Sequence, residues 1–196
     1  TTVTLTANPA AGWKFDGWSG ALSGTTNPAD ITMNSNKTVT ATFSEIPVGQ
    51  LYNVGYENIS IFDKVTTNAN LRAQPVTMPE DGVIESVSMY HDGGSGDMIL
   101  AVYEGSSEPN LLLSKTTVTA VSSNSGYQTI ALDTPVFVNA NQKIWLAWVY
   151  ENNPGIHYKS GTPGRAGSSA TWSGGMPDTF GDSTSSDWYY AIYASY

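Results

Sequence analysis

The sequence predicts an all-β protein, a jelly-roll-like β-sandwich preceded by a smaller β unit. Three observations carry that prediction. Charged residues make up only 13% of the 196, about half the ~25% usual in soluble domains, and Thr, Ser, Asn and Gly fill the gap. Those residues suit extended strands and tight turns. No segment repeats apolar residues at the helical period, whereas short alternating or wholly apolar runs recur between Gly, Pro and Asn.

The first unit spans residues 1–45. Thr2-Val3-Thr4-Leu5-Thr6-Ala7 alternates polar and apolar, Asn8-Pro9-Ala10-Ala11-Gly12 is a turn signal, and Trp13 to Trp18 alternates again. Asp30-Ile31-Thr32-Met33 and Lys37 to Phe43 flank Asn34-Ser35-Asn36, which argues a hairpin. The run TLTANPAAGWKFDGWSG, followed by NPADITM and NKTVTATF, resembles the divergent internalin-type B-repeat of bacterial surface and secreted proteins. The resemblance implies a small β-grasp-like spacer, here partial, because the leading hairpin of that family is missing. Trp13 and Trp18 invite a binding role, but a small domain lacks other apolar mass, so core anchoring is the better reading.

Residues 46–49, Ile-Pro-Val-Gly, read as a linker, and residues 50–196 as the sandwich. Strands are expected near 51–54, 58–62, 70–78, 83–92, 97–104, 111–121, 127–132, 136–138, 142–151, 156–159 and 187–196. Met98 to Tyr103 and Lys143 to Tyr150 are apolar on both faces, which marks central strands buried between two layers. Trp145 and Trp148 fall on opposite faces of the second of these, and both are expected in the core. Near the end, Trp188 and Tyr190 should share a face opposite Tyr189 and Tyr193.

Composition excludes several functions. Seventeen acidic against eight basic residues give a net charge of −9, which leaves no basic stripe for nucleic acid and disfavours anionic membranes. There is no cysteine, hence no disulfide and no thiolate chemistry. The chain opens inside a strand pattern without an initiator Met or signal peptide, so it reads as an excised piece of something longer. Only His91 and His157 could act as imidazole bases, and neither sits in a hydrolase or zinc motif. No pair of carboxylates stands out for glycoside cleavage.

Binding fits better. From Glu151 to Asp187 the chain shows little strand pattern, and structureless segments of that length tend to be functional or disordered. Sugars are captured by stacking aromatics on their apolar faces and hydrogen-bonding their rims. The candidates are Trp172 and Arg165, then His157 and Tyr158, of which only one can face a ligand. Glu151, Asn152 and Asn153 are candidate rim contacts, and Trp188 a further ring. For each the structural alternative stands beside it: a core ring, or a side chain that pins a loop. Asp92 and Asp97, in one hairpin loop, are the candidate ligands of a structural calcium, against the simpler reading of a solvated turn. Asp178, Asp182 and Asp187 form a second, sparser group.

The segment ENNPGIHYKSGTPGRAGSSATWSGG, with KIWLAWVYE before it and DWYYAIY after it, resembles a sandwich module appended to bacterial polysaccharide lyases and glycoside hydrolases. The resemblance covers residues 50–196 and implies carbohydrate binding without fixing the sugar. The expectation is therefore a secreted, extracellular, monomeric, non-catalytic carbohydrate-binding module with no required cofactor. Its partners would be a polysaccharide and a covalently linked catalytic domain. A structural or adhesion spacer and a hydrolase or lyase domain are the alternatives.

Overall fold

The computed structural model describes residues 1–10, 13–45, 51–66 and 68–196. The expected linker at 46–49 lies outside them. The chain divides into two units, Thr1–Gln50 and Leu51–Tyr196, and among the described residues it is all-β, with no α-helix.

In the first unit β1 (Thr2–Leu5) pairs antiparallel with β3 (Ala29–Thr32), and β2 (Trp13–Gly20) with β4 (Val39–Glu45). Alternation puts Val3 beside Ile31 and Phe15 beside Phe43. Phe15 holds Trp18 at 4.9 Å between ring centroids, and the Trp18 indole donates to the Thr26 carbonyl at 2.9 Å. Trp18 is thus the anchor the sequence implied. Trp13 is not: it stands 43% exposed, because it begins its strand where no partner layer covers it. Leu5, Ile31, Met33, Val39 and Phe43 line a cavity of about 520 Å³ together with Trp18.

The second unit is the sandwich. Its strands are β5 (Asn53–Gly55), β6 (Lys64–Thr66), β7 (Arg72–Thr77), β8 (Gly82–His91), β9 (Asp97–Glu104), β10 (Leu112–Lys115), β11 (Thr119–Ala120), β12 (Gly126–Val138), β13 (Lys143–Tyr150), β14 (Ile156–Gly167), β15 (Thr184–Tyr190) and β16 (Ile192–Ser195). One sheet runs β10-β9-β13-β7, and the other is built on β12-β8-β16-β5. β14 belongs to both. Its first residues pair with β6 and touch β8, and its last pair with β7. Between them the register with β15 shifts from Ser160 to Arg165. Gly161 and Gly164 take positive φ there, a conformation that lets the strand turn the corner without a Cβ clash.

Four expectations about elements are corrected. Residues 58–62 form a short 3-10 turn, because Asn58 caps it by accepting from the Ser60 N–H. The runs 127–132 and 136–138 are one strand carrying a bulge. The strand 64–66 has no pattern of its own and exists by pairing with β14. The segment from Glu151 to Asp187 is not structureless, since β14 runs from Ile156 to Gly167 and β15 begins at Thr184.

β9 and β13 are buried on both faces, as their composition implied. Their inner face packs Leu100, Val102, Leu146 and Trp148 against Val87, Met89 and Ile192 of the opposing sheet. Their outer face carries Ile99, Ala101, Tyr103, Trp145 and Val149. Among the described residues no second sheet covers that side. Residues 168–183 do, laying Met176 and Phe180 onto the rings. Backbone bonds pin this cover at both ends: Ser168 N–H to Leu71 O, Leu71 N–H to Ala170 O, Leu112 N–H to Asp178 O, and Phe180 N–H to Asn110 O. Each large apolar side chain so buried contributes about 1.5–3 kcal/mol.

Candidate functional site

β14 and β15 meet in a register that sets Tyr158 against Tyr190 and Ser160 against Trp188. Alternation turns Tyr158, Trp188 and Tyr190 toward one side. A graded run of rings results. Trp148 is fully buried and lies 4.8 Å from Tyr190 between ring centroids; Tyr190 lies 5.6 Å from Tyr158, and Tyr158 lies 5.1 Å from Trp188. Trp188 ends the run at the surface, 37% exposed. Gln74 fixes the middle of it, accepting from the Tyr190 N–H and donating its amide to the Tyr190 carbonyl.

The two arginines of the chain join this run. Arg72 alternates with Ala73, and Arg165 with Ala166; both alanines belong to the outer core, so both arginines face inward. They are only 7% and 8% exposed. The Arg165 guanidinium carbon lies 5.3 Å from the centre of the Trp188 ring, a cation–π arrangement that favours arginine. Gly167 makes room for Arg165: a Cβ there would collide with Arg165 Nη1. Burial, and secondarily the nearby Arg165 charge, hold the Arg72 guanidinium below its ordinary value. Burial likewise pushes the Tyr190 hydroxyl up, while both guanidiniums pull it back.

Neither arginine has a carboxylate partner, since among the described residues the only ion pair is His157 with Asp92. Arg72 Nη1 donates a long 3.4 Å bond to the Asn68 carbonyl. The Nε atoms of both arginines, the Trp148 indole N–H and the Tyr150 and Tyr190 hydroxyls are buried with no hydrogen-bond partner. All belong to the inner face of the sandwich.

The other expected residues lie elsewhere. Trp172 does not join Arg165: it is half-buried against the outer core as part of the cover. His157 faces the opposite side from Tyr158, with Nε2 2.7 Å from Asp92 Oδ1 and its ring on Tyr90. Asn153 pins its loop, donating to the Asn68 carbonyl at 2.7 Å and accepting from the Gly155 N–H at 2.8 Å. It thereby shares an acceptor with Arg72. Glu151 accepts from the Asp97 N–H at 3.1 Å, and Asn152 is exposed. Asp92 is engaged by His157, and among the described residues no three His, Cys, Asp or Glu side chains converge as a metal cluster.

Arg72 and Gln74 escaped the sequence reading. The signal was present, since Arg72 is the one charged residue of its strand, set between Leu71 and Ala73.

Compared with known proteins, the family model of the divergent InlB B-repeat domain matches residues 1–47. That segment is therefore similar to a B-repeat, as its motifs indicated. No curated protein matches the chain.

Proposed function

We propose that Leu51–Tyr196 is a non-catalytic carbohydrate-binding module of a secreted bacterial multidomain enzyme. It grips a polysaccharide at the Trp188 end of the sandwich, and Thr1–Gln50 serves as a spacer. The observation that carries the reading is the exposed Trp188 ring, braced by Tyr158 and the Arg165 guanidinium. A braced aromatic surface beside unengaged hydrogen-bond donors is what an apolar sugar face with a hydroxylated rim requires. Such a module raises the local concentration of an attached catalytic domain on its substrate, without chemistry of its own.

Affinity electrophoresis of the full chain against neutral and acidic polysaccharides tests this. Retardation by at least one glycan is expected, and Trp188→Ala abolishes it at a stability loss of about 1 kcal/mol, the worth of one aromatic contact. The absence of retardation throughout a broad panel overturns the reading.

A further inference from the structure

Buried polar atoms without partners recur on one face of the core, and those around the two arginines call for an explanation. Each is an N–H or O–H: Arg72 Nε, Arg165 Nε, Trp148 Nε1, Tyr150 Oη and Tyr190 Oη. Native interiors satisfy nearly all such groups, and exceptions point to a missing partner. The guanidiniums and the indole are donors only, and beside the Tyr190 hydroxyl oxygen that faces Arg165 they lack acceptors. The site also lacks negative charge, because two guanidiniums share it with no carboxylate within reach among the described residues. A buried cation without a counterion is costly, and a second one beside it adds repulsion.

We infer that the Arg72–Arg165 pair receives the carboxylate of an acidic sugar, so that the polysaccharide held at Trp188 is a polyuronate. The inference rests on the glycan reading above and narrows it. An ionised carboxylate is acceptor-only and offers about four lone-pair positions, which suits the two guanidinium forks, whose ends are donors only. It neutralises the pair, and its two oxygens fit a guanidinium fork. A neutral sugar hydroxyl brings a donor of its own and no charge, so it leaves the guanidiniums uncompensated. Because Arg165 lies on the Trp188 ring, the charge-reading group adjoins the stacking surface, and one sugar residue can engage both. The net charge of −9 opposes an anionic chain only at long range, where salt screens it within about 8 Å at physiological ionic strength.

The test compares three uronate-containing polysaccharides (polygalacturonate, alginate and hyaluronan), each beside its carboxyl-reduced neutral form, by affinity electrophoresis and calorimetry with the full chain. At least one acid form should bind, and its reduced form should bind more weakly by about tenfold or more, as expected for loss of a charge-assisted contact. Equal binding of both forms, or binding of neutral glycans only, overturns the carboxylate assignment and leaves the glycan reading standing. Failure of every glycan removes both. A free-anion arm uses sodium acetate and sodium sulfate: if either raises the melting temperature as much as the polyuronate does, the pair is a site for small anions and the sugar assignment falls. Arg165→Lys keeps the charge but loses the fork, and should erase the preference for the acid form while the circular dichroism stays that of the parent. Retention of the full preference by a folded Arg165→Lys chain also overturns the inference. The paired polysaccharides on the parent protein decide between these outcomes even if that variant does not fold.

Discussion

The two apolar layers flanking β9 and β13 are built from the same two strands, yet they treat polar atoms differently. In the outer layer the Trp145 indole donates to the Gly105 carbonyl at 2.9 Å, and the Tyr103 hydroxyl reaches the Pro177 carbonyl. In the inner layer the equivalent handles of Trp148, Tyr150 and Tyr190 reach nothing, and two arginines join them. Residue types are nearly matched, so composition does not separate the layers. What separates them is whether the fold itself supplies the acceptors. Where it does, the ring is there for packing. Where it does not, the unpaired groups adjoin the proposed glycan site.

Experiments can break or sharpen that contrast. Largest in effect should be Phe180→Ala, which removes a ring packed edge-on against Tyr103. About 3–5 kcal/mol is expected for an aromatic truncated in a core, and roughly 2–4 °C of melting temperature per kcal/mol for a domain of this size. A loss under about 1 kcal/mol would mean that residues 168–183 are a detachable flap rather than a layer. Next, Tyr103→Phe should lower stability in urea by about 1–2 kcal/mol, because a partly buried carbonyl loses its donor. Tyr150→Phe and Tyr190→Phe should instead be neutral or stabilising in the absence of glycan. Equal losses in all three would erase the difference between the layers. Trp172→Ala should cost about 1–2 kcal/mol, as half-buried apolar area does, while glycan retardation is untouched, the opposite of Trp188→Ala. The smallest effect concerns His91. Its Nδ1 accepts from the Gly93 N–H at 3.0 Å and its Nε2 faces Gln128 Oε1 at 2.9 Å, so the neutral ring is fully used. Burial above all holds it below its ordinary value of 6.5. In the window beneath 6.5 the unfolded chain therefore binds the extra proton, and stability, complete above that pH, declines as pH falls. Urea unfolding at pH 7.5 and 5.5 should show the decline, and His91→Gln should remove part of it.

Much of the fold was legible in the sequence. The two-faced apolar runs of β9 and β13 located the central strands, and the Trp188/Tyr190 against Tyr189/Tyr193 alternation gave the correct faces. What failed was punctuation. Gly161, Pro163 and Gly164 read as a loop because they usually break strands, yet here they mark a corner in β14, whose pairing with β15 and β7 lies far off in sequence. Met176 and Phe180 lie in the segment whose composition read as an open recognition loop. An apolar residue among Gly, Ser and Pro has the same local signature whether it meets a ligand or covers a sheet, and only tertiary contact tells the two apart. The candidate site was half visible: Arg165, Tyr158 and Trp188 do converge, whereas Trp172 and His157 face away from them. Arg72 was hidden because its partnership with Arg165 spans 93 positions of sequence, the difference between their residue numbers.

The dual membership of β14 has a mechanical consequence. Tyr158 sits before the corner, in the part of the strand joined to β6 and β15, and Arg165 sits after it, in the part joined to β15 and β7. A tug on whatever these side chains hold is shared by ladders in both halves of the sandwich, so no single edge strand has to peel first. For the tethering role proposed above this is an advantage, since the load is spread over many backbone bonds rather than the few of one edge strand.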